Sequence, residues 1–389
     1  MQEVSHHGQI IREYRELRVG ITQEELARRV GRSRRTIVSV EQSACVSDPK
    51  LRRALAWALE IPPQMLGLSE AAIPGVATLS PLAFLSSEGG SESKGLNRMI
   101  FETFTESLRM RLDLYYLGSA LAADRGLNAH IGELEKLIDK ASSKWRLQLL
   151  TLLSHNYQLK GMIARDQLDY EVAEKCFVHS ASLAVEAECV ELNALAMARR
   201  ANMRVWQKRL NEAGQLYDVA REITKRSVPG LRAFLATGHA EVQGLLKDKE
   251  CLESLTEART LLARVDLADD PFLLLHSTRC SERAIGDGWS QCHALLGMPD
   301  VAIESYDKLE KVLDLSMTRM RARLYTQYAE ALYIGRDMSC CFYAVEGLKL
   351  ARSVGSQYNI NRVRELASKL SSQFPRDARV MELLQVVQG

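Results

Sequence analysis

The chain has 389 residues, of which 46% are apolar and 26% charged, and its formal net charge is +2. This length is sufficient for two or three domains. The near balance of 51 basic and 49 acidic residues excludes binding to nucleic acid through bulk charge, so any such contact needs a local basic cluster. No stretch approaches the ~18 uninterrupted apolar residues of a membrane span, and no N-terminal run resembles a signal peptide, which predicts a cytoplasmic protein with no membrane contact.

The first 68 residues have the spacing of a compact helical unit. The first predicted helix ends at Gly20 and places apolar residues on one face, namely Ile10, Ile11, Tyr14 and Leu17. The second begins with a capping box, in which Thr22 and Glu25 each satisfy a free backbone N–H. Gly31 makes the turn that follows the second helix.

The third predicted helix lies in "SRRTIVSVE", residues 33–41. Ser33 caps it, and Ile37 and Val40 point to the core at helical spacing. This leaves an outward face with Thr36 at its margin, made of Arg34, Arg35 and Ser39. Residues 28–35 contain five arginines and no acid, so this turn and helix form the local basic cluster that the whole chain lacks.

Residues 8–68 resemble the Xre/Cro phage-repressor family of helix-turn-helix domains, through "TQEELARRVG", "SRRTIVSVE" and "LRRALAWALEIPPQMLGL". The resemblance implies binding to double-stranded DNA, with base contacts from the outward face of the third helix and a phosphate contact from Gln23. Arginine can donate two hydrogen bonds to guanine, and basic neighbours add attraction to phosphates that is independent of sequence. The predicted DNA-binding residues are Gln23, Arg28, Arg29, Arg32, Ser33, Arg34, Arg35, Thr36 and Ser39.

Two readings of this basic face remain open. It contacts DNA, or it is a solvated face in a domain that has lost DNA binding or binds protein. The loop after the third helix, "QSACVSDP", has no basic residue. Contact through this loop is therefore weak, which favours a homodimer that covers two half-sites.

Residues 69–97, "SEAAIPGVATLSPLAFLSSEGGSESKGLN", have the composition of a linker. Residues 98–389 are rich in alanine, leucine, glutamate and arginine and show no alternating β pattern. The predicted fold class is therefore all-α, with a helix-turn-helix domain at 1–68, a linker at 69–97 and a helical domain at 98–389.

The helical domain contains a degenerate repeat. Small residues with spacings of 40, 45, 44 and 39 mark its centres, at Ala173, Ala213, Ala258, Ala302 and Cys341. Twelve residues before each centre stand Gly161, Ala201, Leu246, Ser290 and Ala329. This resembles the tetratricopeptide repeat, in which small residues on paired helices pack together. It predicts a right-handed α-solenoid, with a generic helical bundle as the alternative.

A solenoid of this kind exposes a concave groove lined by the first helix of each pair. Asparagine and glutamine suit an extended peptide in such a groove, because they donate to and accept from its backbone. The repeat register predicts the peptide-binding residues His155, Gln158, Asn202, Gln243, Asp287, Gln291, Arg323 and Glu330.

The sequence contains no motif that predicts catalysis or cofactor binding. It contains no GxxxxGK[ST], GxGxxG, HExxH or GxSxG motif, so we predict no catalytic residue, no cofactor and no enzyme. The cysteines form no CxxC motif and lie in apolar stretches, which favours buried, reduced thiols over a metal site or disulfides. They are Cys45, Cys176, Cys189, Cys251, Cys280, Cys292, Cys340 and Cys341.

The order helix-turn-helix, linker and repeats resembles the peptide-sensing quorum-sensing regulators of the Rgg, PlcR and PrgX type. This resemblance implies a cytoplasmic, homodimeric transcription factor whose groove binds a short signalling peptide that modulates DNA binding. Two alternatives stay open. The repeats bind a protein partner, which makes the chain an interaction adaptor, or the protein is a repressor that responds to a small molecule.

Overall fold

The computed structural model describes residues 7–19, 21–44, 46, 48–59, 61, 66, 92–264, 281–313 and 317–388. The chain divides into two compact units, Met1–Ala77 and Thr78–Gly389. Every regular element in these described ranges is helical, which confirms the predicted all-α class. Most of the predicted linker lies outside the described residues, as do Gly20, Cys45 and Cys280.

The described residues of the smaller unit contain four α-helices. They are α1 His7–Glu13, which continues as a π-helical turn over Tyr14–Val19, α2 Gln23–Arg29, α3 Arg34–Glu41 and α4 Pro49–Ala58. The residues predicted to point inward do so, because Ile11, Leu26 and Ile37 have no exposed surface. Leu55 from α4 is equally buried and completes this core. The side chain of Leu17 lies outside the described residues.

The larger unit contains fifteen helices within its described residues. They are α5 Glu92–Leu117, α6 Ala120–Asp124, α7 Leu127–Ile138, α8 Ser143–Asp166, α9 Tyr170–Glu186, α10 Val190–Trp206, α11 Leu210–Ile223, α12 Pro229–Leu245, α13 Glu250–Leu262, α14 Glu282–Leu295, α15 Pro299–Val312, α16 Thr318–Ile334, α17 Cys340–Ser353, α18 Gln357–Gln373 and α19 Ala378–Gln388. The prediction that the linker extends to residue 97 was wrong, since α5 begins at Glu92. Composition is a weak guide to helix boundaries, and tertiary context overrides it.

The helices from α8 onward follow one packing rule. Each even-numbered helix packs against the helix that follows it in the chain, which gives the pairs α8–α9 through α18–α19. Each even-numbered helix also packs against the next even-numbered one, from α8–α10 to α16–α18. The result is a row of helix pairs in which the first helices of neighbouring pairs lie side by side.

A left-handed residue ends the first helix of five pairs. These residues have φ between 61° and 81° and are Leu168, Lys208, Lys247, Gly297 and Arg336. The next N–H donates back to a carbonyl of the helix, as from Asp169 to Ala164 at 2.9 Å. This bond pattern satisfies carbonyls that a helix end leaves unpaired. The sequence conceals the repeated turn, because only Gly297 is the residue type that adopts positive φ without strain.

The predicted small residues pack mainly as expected. Ala173, Ala213, Ala258 and Ala302 are fully buried, and Cys341 is nearly so. Gly161 is needed where it stands, since a Cβ there would lie 2.6 Å from the ring of Phe177.

One position of the repeat register was wrong. Leu246 is 46% exposed, and it follows the end of α12. Ala240 is fully buried and stands seven residues before its left-handed turn residue, as Gly161 does in its own pair. Counting back from Ala258 misses this residue, because Ala258 lies eight residues after the start of α13, whereas Ala173 lies three after the start of α9.

The six cysteines within the described residues carry free thiols, and all but Cys189 are buried. No group of three His, Cys, Asp or Glu side chains that could hold a metal ion occurs in this part of the chain. None of the helices that the structure describes is both long enough and apolar enough to cross a membrane.

Candidate functional site

The turn between α2 and α3 is fixed by local hydrogen bonds. Gly31 has φ 61°, and its N–H donates to Arg28 O at 3.2 Å. The N–H of Arg32 donates to Ala27 O at 2.9 Å, which closes the helix end. Ser33 then caps α3, because its hydroxyl accepts from the N–H of Thr36 at 3.2 Å. The predicted turn and cap are confirmed, and they place Arg34 at the first position of α3.

The capping box of α2 is only half formed. The Thr22 hydroxyl accepts from the N–H of Glu25 at 3.1 Å, as predicted. The Glu25 carboxylate does not complete the box, because it pairs with Arg28 and with Arg29. Two cations one turn further along the helix attract the carboxylate more strongly than one backbone N–H does.

The outward face of α3 is open to solvent. Arg34, Arg35 and Ser39 are exposed, while Ile37 and Val40 on the opposite face are buried. In the ranges that the structure describes, neither Arg34 nor Arg35 has a hydrogen bond or an ion pair. Their guanidinium groups are therefore available to an acidic or hydrogen-bonding partner outside the domain.

The other predicted arginines are exposed but carry surface ion pairs. Arg28 pairs with Glu25, Arg29 Nε lies 3.5 Å from the same carboxylate, and Arg32 Nη2 lies 4.0 Å from Asp48. Exposed pairs of this kind contribute about 0–1 kcal/mol. A phosphate group could replace these carboxylates at small cost.

Three predicted residues make bonds within the domain. Gln23 donates to Glu41 Oε2 at 2.8 Å and is half-buried. The hydroxyls of Ser33 and Thr36 lie 2.9 Å apart and bond each other. These contacts position α2 and α3, and a DNA contact by these three residues stays a prediction.

An ion pair that our sequence analysis missed joins α3 to the first helix. Arg15 donates from Nε to Glu41 Oε1 at 2.5 Å and from Nη2 to Oε2 at 3.1 Å. Its Nη1 donates to Ile21 O at 3.0 Å, and the Arg15 side chain is only 8% exposed. The spacing held a signal, because Arg15 follows Ile11 by four residues and thus lies on the buried face of the helix.

Residues 11–60 match the helix-turn-helix family model HTH_3. The chain carries an N-terminal helix-turn-helix domain. This domain supports a DNA-binding transcriptional regulator, as the exposed face of α3 also does. A search of the curated proteins found no match to the chain.

The larger unit encloses a cavity between the first helices of its pairs. Its lining comes mainly from α8, α10, α12, α14, α16 and α18, with two tyrosines of α5, Tyr217 of α11, Leu309 of α15 and Leu313 directly after α15. The empty space between these side chains, including the part open to solvent, is about 1470 Å³.

A buried ion pair closes one side of this cavity. Arg319 of α16 donates to Asp166 Oδ2 at 2.7 and 2.9 Å and to Tyr115 O at 2.7 Å. Ser356 donates to Asp166 Oδ1 at 3.1 Å. Burial raises the pKa of Asp166, against the opposing effect of the Arg319 guanidinium. These bonds join the end of α8 to helices that follow it by more than 150 residues.

A stack of four side chains forms a second closing contact. The ring of Trp206 lies parallel to that of Tyr358, with centroids 3.7 Å apart. The guanidinium of Arg165 lies 4.1 Å from the Trp206 centroid, and that of Arg362 lies 5.5 Å from the Tyr358 centroid. The stack joins α8 and α10 to α18, so the row of pairs curves back on itself.

Four of the predicted peptide-binding residues line the cavity, namely Asn202, Asp287, Gln291 and Arg323. Asn202 accepts from the Tyr217 hydroxyl at 3.0 Å. Arg323 lies 3.2 Å from Asp287 in an ion pair, and Gln291 accepts from Gln327 at 2.8 Å. The structure brings these four together, and peptide binding by them stays a prediction.

The other four predicted residues do not line it. Gln158 and Gln243 are buried between helices, where they bond Leu192 O at 3.3 Å and the Ser254 hydroxyl at 2.8 Å. Glu330 lies behind the lining, with its Oε1 3.0 Å from Arg362 Nε. The repeat register located the correct helices, but the side chain's rotation about each helix decides which partner it meets.

His155 is the fourth of these residues. It is half-buried on α8 and is absent from the lining. Burial and, to a smaller extent, the Arg199 guanidinium lower the pKa of His155 to about 4. The imidazole is therefore neutral at pH 7 and lies near Arg199.

Arg199 and Arg165 are cavity residues that our sequence analysis missed. Arg199 is 2% exposed, and its Nη2 donates to the Tyr116 hydroxyl at 2.7 Å. The sequence held a signal, since Arg199 lies four residues from both Leu195 and Met203 on the buried face of α10.

Proposed function

We propose that this protein is a DNA-binding transcriptional regulator whose DNA affinity is modulated by a short signalling peptide bound in the cavity of the larger unit. The observation that carries the DNA-binding part is the open face of α3. Arg34 and Arg35 stand there, exposed and without partners among the described residues, at the start of the helix that follows the turn. In helix-turn-helix domains the N-terminal end of the helix after the turn, which is α3 in this protein, enters the major groove.

The larger unit is, in this proposal, a right-handed tetratricopeptide-like solenoid. The row of helix pairs, the repeated left-handed turn and the buried small residues support it. The enclosed cavity with amide and charged groups supports a peptide or another small ligand over a folded partner. The interaction adaptor is the less supported alternative, and a small-molecule-responsive repressor fits the same cavity.

The proposed regulator is cytoplasmic, acts as a homodimer on two half-sites and has no enzymatic activity. Two recognition helices at fixed spacing would compensate for the weak contact expected of the loop after α3. The ligand changes DNA affinity only as far as it binds one conformation of the protein more tightly than another.

Two experiments test the two parts separately. Genome-wide mapping of bound DNA in the host, compared with Arg34→Ala/Arg35→Ala protein, should give a shared operator motif that the variant loses. Native mass spectrometry of protein purified from the host should show a co-purified short peptide. If the protein binds no duplex DNA at low salt, the role as a DNA-binding regulator is excluded. If no peptide co-purifies at any growth stage, the signalling peptide is excluded as the ligand.

A further inference from the structure

The Arg199 guanidinium is a buried charge without a counter-ion. Its contacts are the Tyr116 hydroxyl, at 2.7 Å, and the ring of Phe234, whose centroid lies 5.1 Å from Cζ. Its Nε has no hydrogen-bond partner, and no acidic side chain in the described part of the chain pairs with it. Leaving a buried charge unpaired is costly, so such a residue is unusual in a structural role.

The acids that line the same cavity as this arginine already have cationic partners. Asp166 is bonded by Arg319 and by Ser356, and Arg323 lies within ion-pair distance of both Glu241 and Asp287. In total, six arginines and three acids of the described residues line the cavity. The lining therefore has an excess of positive charge.

A second arginine reinforces this excess. Arg165 is 6% exposed and stacks on Trp206, and its Nε also lacks a hydrogen-bond partner. It forms no ion pair with any acid that the structure describes. Both unpaired guanidinium groups thus line one cavity, next to the faces of large aromatic rings.

We propose that Arg199 is the receptor for a carboxylate of the cavity ligand, an inference that rests on the proposed ligand-binding function. A carboxylate matches the planar fork of a guanidinium and makes the stronger, charge-assisted class of hydrogen bond. The Phe234 ring provides an apolar surface for the ligand atoms next to that carboxylate. In a peptide, the carboxylate is either the C-terminal group or an aspartate or glutamate side chain.

The next residue in the chain, Arg200, is an arginine whose charge is paired within the protein. Arg200 donates to Glu174 at 2.7 and 3.2 Å in a half-buried pair, and it does not line the cavity. Its charge is satisfied without any ligand. Arg200→Gln is therefore a matched control for Arg199→Gln.

The test uses the full-length protein and defined peptide mixtures. One mixture contains random heptapeptides with free C-terminal carboxylates and no acidic residues, and a second contains the same peptides as C-terminal amides. A third is amidated but includes aspartate and glutamate. Peptides retained by immobilised wild type, Arg199→Gln, Arg199→Lys and Arg200→Gln proteins are counted by mass spectrometry, and 3-phenylpropanoate is tested separately by its shift of Tm.

Retention of the first mixture but not the second supports a C-terminal carboxylate, and retention of the third but not the second supports an acidic side chain. In either case Arg199→Gln should lower retention at least tenfold, Arg199→Lys should lower it less, and Arg200→Gln should leave it unchanged. If 3-phenylpropanoate raises the Tm of wild type but not of Arg199→Gln, and no peptide mixture is retained, Arg199 is supported as a carboxylate receptor. The same result excludes a peptide as the ligand in the proposed function.

The apo proteins provide a readout that a structural role would not give. Because Arg199 is unpaired, the Tm of Arg199→Gln without ligand should equal or exceed that of wild type. Equal retention of carboxylate and amide peptides overturns the carboxylate receptor but leaves peptide binding intact. If no mixture is retained and 3-phenylpropanoate causes no Tm shift, both the carboxylate receptor and peptide binding are overturned. If Arg199→Gln has a lower Tm without ligand and unchanged peptide retention, Arg199 has a structural role in the core and is not the receptor.

Discussion

Removing the Glu41 carboxylate should destabilise the helix-turn-helix domain without altering any side chain on the open face of α3. Glu41 accepts two hydrogen bonds from Arg15 and one from Gln23, at 2.5, 3.1 and 2.8 Å. The side chains of Arg15 and Glu41 are only 8% and 5% exposed. Glu41→Ala leaves the Arg15 charge buried, and among the described residues only the Glu16 carboxylate still pairs with it. Breaking such a buried pair costs about 3–5 kcal/mol.

Hydrogen exchange of the α3 amides in the full-length protein measures this loss for the smaller unit alone. Since about 1.4 kcal/mol corresponds to tenfold, exchange should be faster by about a hundredfold or more. Glu41→Ala combined with Arg15→Met should recover most of the protection, because no charge is then left unpaired. Glu25→Ala, which removes only exposed pairs, should change it by less than about tenfold. Unchanged exchange in Glu41→Ala, or a double variant no better than the single one, would refute this account of the pair.

Other variants test the remaining sites. Arg35→Ala should weaken binding to the selected operator by about 1–3 kcal/mol while sparing random duplex, whereas Arg29→Ala should weaken both alike. The same pattern for both variants in gel-shift titrations would contradict these roles. Asn202→Ala should keep its DNA affinity but lose the response to the co-purified peptide, and a normal response would remove Asn202 from the site. Burial, with a contribution from Arg111, lowers the pKa of His130 to about 4. Between that pH and about 6.5 this histidine is protonated in the unfolded chain but neutral in the folded one, so the free energy of unfolding falls as pH falls. When the pH is lowered from 7 to 4.5, the free energy of unfolding of His130→Phe, measured with urea, should fall by about 2–3 kcal/mol less than that of wild type. Equal decreases in the two proteins would exclude His130 as the cause.

The helix-turn-helix domain was largely predictable from the sequence because its determinants are local. The cap at Ser33 and the left-handed Gly31 act within one helical turn, and Ile37 and Val40 mark the buried face by spacing alone. The Arg15–Glu41 pair, at a separation of 26 residues, was not predicted, because periodicity assigns a side chain to a face but not to a partner.

The cavity was less predictable, for a related reason. The repeat register placed Asn202 and Gln291 on the correct helices, but it does not give the angle between successive pairs. That angle decides whether the row of pairs stays open or curves until α18 meets α8 and α10. The contacts of Arg319 with Asp166 and of Tyr358 with Trp206 join residues more than 150 positions apart, and no pattern within one repeat specifies them.

Closure of the row of pairs also gives a physical route by which a ligand could be sensed. The Arg319–Asp166 pair and the Trp206–Tyr358 stack join the first pairs to the last ones across the cavity. A ligand too large to pass these contacts must break them to enter or leave, so the larger unit would have an open and a closed state. A carboxylate on Arg199 would neutralise a buried charge only when the cavity is closed around it, because in the open state water already solvates that charge. The ligand would therefore favour the closed state, and such differential affinity is what coupling to another site requires.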